Sequence, residues 1–182
     1  MLLTLITVFL AGMSTRLSDM VADGELRVRK LYGYALGISY GTLTALVVTL
    51  NPILGDVAIA VILSVLLTGK IDNRIHYLGI GAFATVIALS GINPIGNVPI
   101  LLAFIAAGVI DEIGNDYSDR RKKNDVIDIF FQKRMVMELM SFLVTLVTGE
   151  IIFFLSLIIF EIGYSYIFMT PIGRKLLRLT KQ

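Results

Sequence analysis

The chain has 182 residues, 56% hydrophobic and only 16% charged, with a formal net charge of +2. Soluble domains carry about 25% charged residues, so the composition argues against a water-soluble globular fold. Cysteine is absent and His76 is the one histidine, which excludes disulfides, thiolate chemistry and multi-histidine metal centres. Any metal held by this chain needs oxygen ligands, which suits Mg²⁺, Mn²⁺ or Ca²⁺ rather than zinc or copper.

Residues 2–12 are apolar, and no Lys or Arg precedes them. A signal peptide would open on cations and close on a small-residue cleavage site. The expectation is therefore an uncleaved first helix over residues 2–20, with its N-terminus outside. A polar stretch follows at residues 14–30. Residues 33–50 form the second expected span. There Gly33, Gly37 and Gly41 recur every four residues on one helix face, the spacing that lets a neighbouring helix approach closely in lipid. That face could receive another helix of the chain, line a substrate groove or pack against a second copy in a homo-oligomer.

Asn51-Pro52 opens the third span and Asn93-Pro94 the fifth. Asn suits a helix cap and Pro the first helical position. Both stretches begin Asn-Pro-Ile and close on Gly-x-Ile-Asp, at Asp72 and Asp111. The reading is an internal repeat of roughly forty residues whose copies run in the same direction, because an even number of crossings separates them. Asp56 falls in the first turn of its helix, where the helix dipole favours an anion. The fourth span is expected over residues 76–92 and the fifth through residue 110.

Residues 111–134 form a long polar segment, read as an acidic and basic cytoplasmic loop. Within it Val126, Ile127, Phe130 and Phe131 fall at helical spacing behind Asn124 as a cap, the pattern of a short helix lying on the membrane surface. Residues 135–168 are apolar over about 51 Å at about 1.5 Å per residue. A hydrocarbon core is about 30 Å thick, so a turn at Thr148-Gly149-Glu150 gives sixth and seventh spans. A basic tail, residues 170–182, ends the chain.

The sequence thus predicts an all-α, polytopic integral membrane bundle, one transmembrane domain over residues 1–182. It has about seven spans, or six if residues 2–20 do not cross. With loops placed alternately on two sides, all 16 Lys and Arg residues fall on one side, and the loops near Asn51, Asn93 and Gly149 carry none. By the positive-inside rule the basic side is cytoplasmic. The expectation is a cell-membrane protein with a cytoplasmic C-terminus, the lipid bilayer as its partner, and no nucleic-acid binding.

Candidate chemistry gathers on that same side. Asp111, Asn115 and Asp119 are spaced four apart, and would share a face if the fifth helix continues; Glu112 and Asp116 form the neighbouring row. Such rows present oxygen ligands to one hard cation, here Mg²⁺. Arg120, Arg121, Lys122 and Lys123 could neutralise a lipid phosphate. Asp72 and His76, four apart, are candidate catalytic groups with Asp116; a hydrogen-bonded interfacial histidine is the plainer reading of His76. Glu161 lies within the last span, where an acid is costly and a functional candidate. It could instead bond Tyr164 or Ser165.

The sequence Asn115-Asp116-Tyr117-Ser118-Asp119 resembles the start of the NDxxDxxxD motif of UbiA-type intramembrane prenyltransferases. The resemblance implies a Mg²⁺-bound polyprenyl diphosphate and prenyl transfer, with Asn115, Asp116 and Asp119 at the metal. The motif's last Asp is replaced by Lys123, and the family has nine spans. Three functions follow as expectations. The first is a Mg²⁺-dependent prenyl- or phospho-group transferase acting on an isoprenoid or lipid phosphate at the cytoplasmic face. The others are a transporter or channel for a small solute or ion, and a membrane scaffold or assembly partner. The topology is checked with single cysteines in this cysteine-free chain. In sealed inside-out vesicles an impermeant maleimide should label Arg120→Cys and spare Gly149→Cys, and equal labelling would overturn the orientation.

Overall fold

A computed structural model describes residues 1–26, 28–71, 73–121 and 125–169, with residues 167–169 described by backbone alone. Among these residues the chain forms eight α-helices and no strand. They are α1 (Leu2–Ala22), α2 (Lys30–Leu50), α3 (Gly55–Leu67), α4 (Arg74–Ser90), α5 (Val98–Arg121), α6 (Val126–Gln132), α7 (Met135–Thr148) and α8 (Ile152–Met169). A single 3₁₀ turn, Pro52–Leu54, leads into α3. Helices α1, α2 and α5 are long and apolar enough to cross a membrane; α3 with its 3₁₀ turn, α4, α7 and α8 through Tyr166 are shorter and apolar.

Local chemistry sets the boundaries. Helix α2 stops at Asn51, whose extended backbone precedes Pro52 and suits a pre-proline residue. Asn73 caps α4, its side chain accepting from the Ile75 N–H at 3.0 Å. Helices α4 and α7 end on Gly91 and Gly149, both in the left-handed conformation that glycine adopts at low cost. Helix α5 starts at Val98 rather than at Asn93-Pro94. Asn93 instead accepts from Ile95 N–H at 3.1 Å in a turn, and Asn97 accepts from Ile100 N–H at 3.1 Å as the helix begins. At its other end α5 does not stop at residue 110. It runs on to Arg121, so half of the polar segment expected as loop is helix.

The helices form two compact units, each drawn from separated parts of the chain. The first comprises Met1–Pro52, Asp72–Ile92 and Ile158–Gln182, and so holds α1, α2, α4 and most of α8. Here the α2 glycines meet α4: Gly33 and Gly37 lie against Ile75, and Gly41 against the backbone of Gly79. Contacts advance along both helices together, so α2 and α4 run parallel. Tyr40 reaches over the same seam and donates to the His76 carbonyl at 3.1 Å. Of the uses open to that glycine face, the structure shows the first: a helix of the same chain fills it. A second close crossing joins α1 to α8, with Gly12 on the Phe160 carbonyl and Gly163 on that of Phe9.

The second unit comprises Ile53–Ile71 and Asn93–Leu157. Gly55 packs on the Pro94 backbone, Ser64 on Gly108, and Lys70 pairs with Asp116, so α3 and α5 also run parallel. Asp56 is only 2% exposed. It lies in the first turn of α3, as expected, and accepts from Gly96 N–H at 3.0 Å and Asn97 N–H at 2.9 Å in the turn that leads into α5. Phe104 and Phe153, both fully buried, meet with ring centroids 6.0 Å apart.

Two glycine substitutions test the seam. A Cβ on Gly41 would overlap the Gly79 carbonyl, whereas one on Gly81 meets open space. In detergent melts, Gly41→Ala should destabilise by about 1–3 kcal/mol through overpacking. Gly81→Ala should be neutral or stabilising by up to about 1 kcal/mol from helix propensity.

Candidate functional site

The acidic row on α5 folds into caps and ion pairs. Asp111 is buried and accepts from the backbone N–H groups of Val136 at 3.1 Å and Met137 at 2.8 Å, so it caps α7. Four N–H groups at a helix start lack internal partners and carry partial positive charge, which makes a carboxylate favourable there. Glu112, also buried, is 3.0 Å from Arg134. Arg134 precedes α7 with φ 51°, a left-handed conformation uncommon outside glycine. Asp116 pairs with Lys70.

Asn115 is half-buried, and Asp119 and Arg120 are exposed. Arg121 pairs with Asp125 and lies over the Tyr117 ring at 5.3 Å. Asp72, Lys122 and Lys123 lie outside the described residues, as does the basic tail. Among the described residues no group of three or more His, Asp or Glu side chains is placed to hold a metal ion. The expected set Asp111, Asn115, Asp116 and Asp119 is thus not gathered around one point. Two of its carboxylates are turned toward separate partners, the α7 start and Lys70.

Helix α6 continues this pattern. Its cap is Asp125, not the expected Asn124, which lies outside the described residues; Asp125 accepts from the Asp128 N–H at 3.0 Å. That bond, with the Arg121 charge beside it, holds the Asp125 carboxyl below the usual aspartate range, against a smaller opposing effect of desolvation.

A different constellation forms in the first unit. Arg16 and Asp19 come from α1, His76 from the first turn of α4 and Tyr164 from α8, with Glu25 in the turn after α1. Tyr164 donates to Asp19 Oδ2 at 2.6 Å. His76 Nε2 stands 3.9 Å from Asp19 Oδ1, both side chains about three-quarters buried. Arg16 reaches Glu25 at 3.0 Å and the Tyr164 hydroxyl at 3.3 Å, with its guanidinium 5.4 Å from that ring's centre. One carboxylate is thereby shared between a phenol and an imidazole from two further helices.

This arrangement can hold a proton. With His76 neutral, Asp19 is a charged acceptor of the Tyr164 bond. A proton on the imidazole makes an ion pair with Asp19, and a proton on Asp19 removes the charge that both partners face. Glu161, also on α8, instead accepts from Ser165 Oγ at 3.1 Å.

The sequence reading singled out His76 here but missed Arg16, Asp19 and Tyr164 as its neighbours. The available signal was Arg16 and Asp19 three apart within a 21-residue, mostly apolar helix. Tyr164 is 145 positions from Asp19, a separation that no local pattern spans.

The depressed Asp125 carboxyl gives a pH test. Its contribution is complete above the ordinary aspartate value of about 3.9 and is lost as pH falls through the lower folded value. Asn caps a helix but does not titrate. Melting curves between pH 6 and pH 3 should therefore fall more steeply for the natural chain than for Asp125→Asn. Comparison with known proteins finds no matching family model, no matching curated protein and no matching solved structure.

Proposed function

We propose that this chain is a multi-pass protein of the cell membrane with about seven spans and a cytoplasmic C-terminus, and that it moves a proton or a small ion coupled to one. Asp19 is the proton-carrying group in this reading. The observation that carries it is the Asp19 carboxylate, inside a helix able to cross a membrane, shared between Tyr164 and His76. Asp19 lies in the last turn of that helix, at its cytoplasmic end, and buried ionisable groups with such neighbours cluster at functional sites.

The topology has support of its own. Parallel packing of α2 with α4, and of α3 with α5, is what a chain crossing at every apolar helix requires, since two crossings separate the members of each pair. The α3–α5 pair also fits a same-direction repeat beginning at Asn51 and Asn93. Helices as short as α3 and α7 span by local thinning of the bilayer and by flanking residues that reach for the interface.

Liposomes carrying a pH gradient and an internal pH dye test the transport reading. Asp19→Asn should reduce proton flux at least tenfold, Tyr164→Phe should reduce it less, and Glu161→Gln should leave it near the natural rate. Natural flux in Asp19→Asn, or no flux from the natural chain, would sink this reading.

A second reading keeps the Mg²⁺-dependent prenyl- or phospho-group transferase. It is favoured by Asn115 and Asp119, one turn apart on α5 beside exposed Arg120, with no bonded partner among the described residues. It also retains the likeness of this stretch to UbiA-type enzymes. Here Mg²⁺-dependent turnover of a polyprenyl diphosphate should disappear in Asp119→Ala and survive in Asp19→Asn.

A further inference from the structure

An amphipathic helix that docks on its own protein normally turns its apolar side inward. Helix α6 does the reverse. Its polar groups face α5: Gln132 donates to Ser118 Oγ at 3.3 Å, Ser118 donates to the Asp128 carbonyl at 3.3 Å, and Arg121 pairs with Asp125. Asp128 is fully buried there. Phe131, seated where Gly114 leaves room, and Phe130 are its partly buried apolar residues. The outward side is apolar, with Val126 82%, Ile127 49% and Ile129 51% exposed.

Two observations say what covers that side. On α5, the exposed Ile113 and Tyr117 each lie within about 100° of Gly114 around the helix, next to the row that receives α6. The outward surface of α6 thus extends the apolar surface of a helix long enough to cross a membrane. The charges are also sorted. The α6 acids are turned toward Arg121, while Arg120 before α6 and Lys133 after it are exposed. An apolar strip bracketed by cations matches the headgroup boundary of an anionic leaflet.

We propose that α6 is a membrane-surface anchor: Val126, Ile127 and Ile129 sit in the cytoplasmic leaflet, and Arg120 and Lys133 hold anionic headgroups. The proposal rests on α5 crossing the membrane and is independent of proton transport. Because α6 is tied to α5 and α7 by Gly114, Ser118 and Arg134, the leaflet's charge would bear on the position of that whole hairpin.

The chain has no tryptophan, so Val126→Trp supplies a single fluorophore at an exposed position. It is placed in nanodiscs holding one copy, made from phosphatidylcholine alone or with phosphatidylglycerol, with acyl chains brominated near the headgroup or near the bilayer centre. Emission should shift to the blue and be quenched more by the shallow bromines, and phosphatidylglycerol should increase both effects. The double variant Arg120→Gln, Lys133→Gln should lose that increase.

Emission typical of water with no quenching in any lipid would overturn the proposal. A blue shift that appears only in discs holding two copies would overturn it in favour of a second chain as the occupant. Leu102→Trp, exposed on α5, separates the two readings. Deep bromines should quench it, and if they do not, the crossing of α5 fails as well. Ile127→Trp repeats the measurement should Val126→Trp not fold.

Discussion

Backbone groups in apolar surroundings must find partners inside the protein, and this constraint shapes both compact units. Helices satisfy all but their ends. Neighbouring side chains then supply what is left: Asp111 takes the first amides of α7, and Asp56 takes the Gly96 and Asn97 amides in the turn before α5. Between the ends, helices touch where glycine leaves the backbone bare, as at Gly41 on Gly79 and Gly12 on Phe160. Dispersion forces and close approach, rather than expulsion of water, hold such seams in lipid.

Carboxylates consequently do two kinds of work. On α5, Asp111 and Glu112 are consumed by the α7 start and by Arg134, and their burial is affordable because each has a partner. In the other unit Asp19 accepts from the Tyr164 hydroxyl and stands 3.9 Å from the His76 imidazole. An acid that fixes a helix start or pairs with a fixed cation is architecture, whereas one that also touches a phenol and an imidazole is a candidate for function. That contrast, rather than the number of acids, separates the two clusters.

Much of the architecture was legible in the sequence. Apolar runs and the Gly33, Gly37 and Gly41 spacing report local physics, and α4 does pack on that glycine face. Turn chemistry was readable at Gly149, whereas Asn51-Pro52 ends α2 and opens a 3₁₀ turn, and α3 starts only at Gly55. The start of α5 was misplaced because Asn93-Pro94 carries the same letters as Asn51-Pro52 but forms a turn stabilised from Asp56. The α5 row reads differently in the structure because spacing fixes which residues share a stripe, not what faces that stripe. Asp111 meets α7 and Asp116 meets Lys70, and both partners lie far along the chain. The Arg16, Asp19, His76 and Tyr164 cluster stayed hidden for the same reason.

The parallel pairing of α3 with α5 has a consequence for synthesis. The amides that receive the Asp56 carboxylate belong to Gly96 and Asn97, 40 and 41 residues downstream. While the chain is being made, Asp56 waits without them for as long as that stretch takes to emerge. During that interval the carboxyl has only water to meet its hydrogen-bonding need, so the first turn of α3 can be closed off from solvent only when the start of α5 arrives.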